Sequence, residues 1–129
     1  MLKTDSDIPY IDKPWGYERI WGHTDHYVAK YIFIEAGHQL SRQYHEHKIE
    51  TIYVLRGPLI LELGPDNEND DVLTLGLVEG EAYQVRPEAV HRLRAPADYD
   101  VELIEVSTPE LGDIIRLEDD YGRTPDISA

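Results

Sequence analysis

Turn-forming residues divide this chain at short intervals. Gly16, Gly22, Ala36-Gly37, Gly57-Pro58, Gly64-Pro65, Gly76, Gly80, Arg86-Pro87, Ala95-Pro96 and Thr108-Pro109 follow one another at short intervals. Between them lie YVAKYIFI (27–34), TIYVLRG (51–57), LILEL (59–63), DVLTLGLV (71–78), AYQV (82–85), HRLRA (91–95) and VELIEVS (101–107). These runs alternate or are continuously apolar, and none shows a strong helical period. The pattern predicts an all-β sandwich or small barrel. LILEL and TIYVL are apolar at nearly every position, which suits strands in the middle of a two-layer structure. The acidic GPDNENDDV (64–72) reads as a polar loop between strands, and TPDISA (124–129) as a loose tail. No repeat or linker interrupts the pattern, so residues 1–129 are read as one domain with its core at about 13–123.

The chain has no cysteine, which excludes disulfides, thiol catalysis and thiolate metal sites. Its first residues, MLKTDSDIPY, lack the pattern of a signal peptide, and no apolar run reaches membrane-spanning length. A soluble, cytoplasmic protein is the expectation. Twelve Lys and Arg face 26 Asp and Glu, a formal charge of −14. Such a surface repels nucleic acid and anionic membranes, so neither is an expected partner. It also makes local basic residues informative, because an anionic ligand binds only where several of them converge.

RQYHEHKIE (42–50) concentrates two of the six histidines. Successive strand residues point to opposite faces, so in an extended segment Gln43, His45 and His47 share one face. Two imidazoles on one face are either a coincidence or two corners of a metal site. Glu50 follows His47 with two residues between, so a turn or bulge is needed to bring its carboxylate to the same side. His23 and His26, in WGHTDHY, lie in a turn-rich segment and read as surface residues.

Gly37 … His45-x-His47-x-x-Glu50 … Gly57, followed by Gly80 … Arg86-Pro87-Glu88-Ala89-Val90-His91, resembles the paired motifs of the cupins, with one residue fewer before the first glutamate. The resemblance implies a small β-barrel in which His45, His47, Glu50 and His91 converge on one divalent metal. Such a donor set suits zinc first, and also manganese, cobalt, nickel or iron. Glu88 stands where the second motif normally has glycine, which implies a less tight turn before His91. Pro14-Trp15-Gly16, Lys30, Gln43-x-His45-x-His47-x-x-Glu50, His91-Arg92-Leu93 and Arg116 with Asp119, Tyr121, Gly122 and Arg123 further resemble the type II mannose-6-phosphate isomerase cupin. In that family the domain often ends a mannose-1-phosphate guanylyltransferase. Here it is read as a stand-alone unit, with a shortened segment between IEVS and DIIR.

The remaining residues are weighed within that frame. Lys30 shares its strand face with Ile32 and Ile34, and a lysine so placed is either an edge residue or a cation facing a phosphate or a developing enediolate. Arg116 and Arg123 flank the acids Glu118, Asp119 and Asp120, so salt bridges compete with a substrate role. Trp15 and Tyr17 form one wall of a sugar site or cover the barrel end. Lys48, pointing away from His47, ranks lower. The expected assignment is Lys30 and Arg116 catalytic, with Trp15, Gln43, Arg92 and Arg123 substrate-binding. The implied activity is an aldose–ketose isomerase, mannose 6-phosphate to fructose 6-phosphate, working as a homodimer. A sugar- or nucleotide-sugar-binding module without catalysis is the alternative from another class, and a cupin dioxygenase or decarboxylase the third.

Overall fold

The computed structural model describes residues 1–64 and 71–123, together with the backbone of 126–128. Its strands form two sheets. The first has the order β1 (Ile11–Lys13), β2 (Gly16–His23), β3 (Val28–Ile34), β10 (Val101–Ser107), β5 (Glu50–Arg56) and β8 (Ala82–Val85). The second has the order β12 (Asp126–Ser128), β11 (Ile114–Glu118), β4 (Arg42–Tyr44), β9 (His91–Arg94), β6 (Leu59–Leu63) and β7 (Leu73–Leu77). A short 3₁₀ turn at Asp5–Asp7 is the one helical element among the described residues. Each of the seven expected runs is a strand.

Alternation decides what each strand buries. In β10, Val101, Leu103, Glu105 and Ser107 face inward, and in β3 the inward set includes Val28, Lys30, Ile32 and Ile34. Leu59, Leu61, Ile52, Val54, Leu93 and Trp15 complete the core between the sheets. TIYVL departs from expectation. It is not buried on both faces, because Thr51, Tyr53 and Leu55 look outward and the two apolar ones are 44% exposed. Of the expected tail, residues 126–128 form β12 against Ile114–Arg116. Positions 65–70 of the expected acidic loop, and 124, 125 and 129 of the tail, lie outside the described residues.

Two backbone positions shape the barrel mouth. Pro14 and Trp15 make the tight turn between β1 and β2, in which Lys13 pairs with Gly16. Gly16 takes φ +153, and a Cβ there would sit 2.0 Å from the Phe33 carbonyl oxygen. The other position is Glu88, at φ +67 in the left-handed region. The turn before His91 is therefore as tight as a glycine would make it, and the Glu88 N–H donates to the His45 carbonyl at 2.6 Å. That bond ties the two motifs together. A side chain in this conformation costs about 1–2 kcal/mol, while glycine's freedom in the unfolded chain takes back about 0.5–1 kcal/mol. Glu88→Gly should accordingly stabilise the metal-free protein by roughly 0.5–1 kcal/mol in urea unfolding. A loss of stability instead would show that the Glu88 side chain makes a contact worth more than the strain.

Candidate metal centre and cavity

Three strand ends meet at the barrel mouth. His45 follows the end of β4, Glu50 opens β5 and His91 opens β9. All three are buried, and their ligand-capable atoms lie within 4.8 Å of one another. Glu50 Oε1 is 3.3 Å from His45 Nε2 and 3.0 Å from His91 Nε2. The other ring nitrogens are committed: His91 Nδ1 donates to the Ala89 carbonyl at 2.9 Å, and His45 Nδ1 donates to the Asp113 carbonyl. A carbonyl only accepts, so both Nδ1 atoms carry hydrogen and both Nε2 atoms turn toward Glu50. His45 Nε2 is fully buried and has no hydrogen-bond partner. A buried polar atom in that state is costly. Either protons or one cation must lie between these nitrogens and the carboxylate. Two imidazoles with backbone-fixed tautomers and one carboxylate fit a divalent transition metal.

His47 is not part of this group. Residues 45–49 are not a strand but a bend, so the two-residue alternation expected for HxH does not apply. The His47 side chain is 76% exposed, and its Nε2 lies 3.9 Å from Glu46 Oε2. The bend puts positions 45 and 48 inward and 46 and 47 outward. Lys48 is consequently buried, with Nζ 3.5 Å from Glu50 Oε2. It does point away from His47, and for that reason it points into the site.

Beside the triad lies a cavity of about 300 Å³. Its floor is a row of charged residues on neighbouring strands. Glu105 on β10 stands directly opposite Lys30 on β3, and Lys30 Nζ donates to Glu18 Oε1 of β2 at 3.4 Å. Lys13 approaches the same oxygen at 3.8 Å. Burial, reinforced by the Glu50 carboxylate, pushes the Glu105 carboxyl well above the usual range. Burial also pushes Glu50 upward, but the neighbouring Glu105, His45, His91 and Lys48 side chains hold it well below that range. Two adjacent carboxyls cannot both ionise easily, and the pair is driven in opposite directions, Glu105 up and Glu50 down. Burial draws the Lys48 ammonium down, yet Glu105 and Glu50 outweigh it and raise its pKa.

The opposite wall comes from the C-terminal segment. Arg116 on β11 and Arg123 both line the cavity, with Trp15 and Gln43. Arg123 grips the buried Asp119 with two bonds of 2.9 Å, which leaves one edge of a fixed guanidinium toward the space. Burial, and then the neighbouring Arg123, lower the pKa of Arg116 from its ordinary value. Gln43 pairs with His91 across β4 and β9 and so shares its face. Trp15 is 3% exposed and belongs to both core and cavity.

Two further expectations fail geometrically. Arg92 is buried away from the cavity, donating from Nε to the Leu40 carbonyl and from Nη2 to the Glu118 carbonyl, each at 3.0 Å. It braces β9 against the neighbouring segments. Tyr17 is on the outer face, stacked on Phe33 with ring centroids 5.0 Å apart. Sequence reasoning missed Glu18, Glu105 and Asp113. For Glu105 the signal was present, since it is in phase with Val101 and Leu103 on a strand whose inward face is otherwise apolar.

Residues 6–119 match the family described as mannose-6-phosphate isomerase C-terminal. The xanthan biosynthesis protein XanB of Xanthomonas campestris pv. campestris (strain B100) is 35% identical over 117 residues, which cover 88% of this chain and 24% of that protein. The mannose-1-phosphate guanylyltransferase of Escherichia coli (strain K12) is 32% identical over 116 residues, covering 88% of this chain and 23% of that one. The chain therefore spans about a quarter of the length of these relatives. Among solved structures, an RmlC-like cupin from Shewanella frigidimarina NCIMB 400 superposes with a TM-score of 0.68 at 18% identity, covering 83% of this chain and 88% of that one. The fold is that of a cupin.

Proposed function

Because this chain belongs to the mannose-6-phosphate isomerase C-terminal family, we propose that it is a metal-dependent aldose–ketose isomerase acting on a sugar phosphate, mannose 6-phosphate to fructose 6-phosphate. The observation that carries the reading is one cavity lined by His45 and Glu50 of a metal-ready triad, by a buried carboxylate–lysine row and by two guanidinium groups. His45, Glu50 and His91 would hold the metal, zinc by preference. When bound, a divalent cation supplies Lewis-acid polarisation of the sugar oxygens. The chain's own residues do the rest. Isomerisation moves a proton between C1 and C2, which needs a base beside the reacting carbons. Glu18, a buried carboxylate flanked by Lys13 and Lys30, is placed for that role. Lys30, held between Glu18 and Glu105, faces the charge that develops on the substrate oxygens. Arg116 and Arg123 supply the phosphate grip, where planar guanidinium groups suit phosphate oxygens. A cavity of about 300 Å³ suits a single hexose phosphate.

The proposal includes a homodimer and a cytoplasmic setting. No helix among the described residues is long and apolar enough to cross a membrane.

Steady-state kinetics on mannose 6-phosphate and on unphosphorylated mannose test the division of roles. Arg116→Met should lose about ten- to a hundredfold in kcat/KM on the phosphorylated sugar only, the worth of a charge-assisted contact. Lys30→Met should lose a comparable factor on both sugars, because its partners are Glu18 and Glu105 rather than the guanidinium wall. An equal loss on both sugars for Arg116→Met would move it to the chemical step. No loss for either variant would leave both structural.

A further inference from the structure

Resting on the metal reading above, we infer that Asp113 is the positioning residue of the metal centre, a single side chain that folds the ligand-bearing bend and joins it to the cation wall. Its carboxylate accepts three consecutive backbone N–H groups, from Glu46 to Oδ1 at 3.0 Å and from His47 and Lys48 to Oδ2 at 2.7 and 2.9 Å. Its own carbonyl takes the Nδ1 proton of His45. Four bonds from one residue thus set both the path of 45–48 and the tautomer of His45.

The consequence is specific. Three amides turned toward one carboxylate force the backbone out of strand geometry, and that bend sends Lys48 inward and His47 outward. An extended path would return residues 45 and 47 to one face and put Lys48 on the other. Asp113 therefore selects which side chains belong to the site. It also begins the cavity's other wall: β11 starts at the next residue, with Ile115 paired to Tyr44 and Arg116 to Gln43. The segment that carries the phosphate-facing guanidinium is the one that latches the metal-binding bend. Ordering one end orders the other.

The test compares Asp113→Ala, Asp113→Asn and His91→Ala with the unmodified chain by two measurements. Zinc affinity is read by competition with a chromophoric chelator, and hydrogen exchange at the amides of Glu46, His47 and Lys48 is read in metal-free protein. Asp113→Ala should lower zinc affinity about ten- to a hundredfold, the effect of removing an outer support of a metal ligand, and should speed exchange at those three amides. His91→Ala should lose zinc while the three amides stay protected, which separates the latch from the ligand. If Asp113→Ala does not fold, Asp113→Asn carries the same comparison, since its amide group keeps one acceptor oxygen and presents N–H to N–H at the other. Unchanged zinc affinity in a variant whose parent binds zinc would overturn the inference, as would unchanged amide exchange. If the unmodified chain takes up no zinc, the metal reading itself falls, and a role for Asp113 toward a metal falls with it.

Discussion

His91→Ala should lower affinity for a divalent metal by more than about a hundredfold, beyond what loss of an outer support produces, while the barrel stays folded. The side chain is 2% exposed and supplies one of three converging ligand atoms. Its strand stays anchored by Leu93, which is in the core, and by the two Arg92 bonds to backbone carbonyls. His47→Ala should leave affinity within about twofold of the parent, because an exposed side chain outside the triad carries little energy. Chelator competition on the two variants decides the ligand set. A loss at His47→Ala as large as at His91→Ala would mean that the bend turns over when metal binds and that the arrangement at 45–48 is not the loaded one.

Gly16→Ala should be the most destabilising small change in the barrel, by more than about 3 kcal/mol. The added Cβ would meet the Phe33 carbonyl oxygen at 2.0 Å and its carbon at 3.0 Å, and both atoms are backbone. No side-chain rotation relieves that contact. Relief requires opening the β2–β3 ladder, where Gly16 pairs with Ile34 and the Glu35 N–H donates to the Trp15 carbonyl at 2.9 Å. The φ of +153 adds strain of its own. Calorimetry should show a fall in Tm of about 10 °C or more for a domain of this size. A fall of only a degree or two would mean that the turn relaxes freely and that Trp15 and Glu18 owe their inward placement to something else.

Strands were legible in this sequence because turn residues and two-residue alternation act locally. The same alternation placed Lys30 correctly and, applied to VELIEVS, would have placed Glu105 opposite it. It misplaced His47 because the bend at 45–48 is imposed by Asp113, a residue more than sixty positions away, and no local pattern reports such a contact. The triad of His45, Glu50 and His91 was legible from motif spacing, since each sits at a strand end and Glu88 preserves the tight turn despite lacking the usual glycine. Arg92 was misread for a different reason. A buried arginine bonded to backbone carbonyls has the same sequence appearance as one facing a substrate, and only packing separates them.

Proton NMR of the metal-loaded protein with mannose 6-phosphate in D₂O tests the central claim most directly. A base that moves a proton between C1 and C2 exchanges some of it with solvent, so fructose 6-phosphate should appear and deuterium should enter the carbon-bound positions at C1 and C2. A chelator should stop both, and added divalent metal should restore them. Saturable binding of the sugar phosphate with full metal occupancy, yet no fructose 6-phosphate and no deuterium incorporation, would contradict the account and leave a binding module in its place.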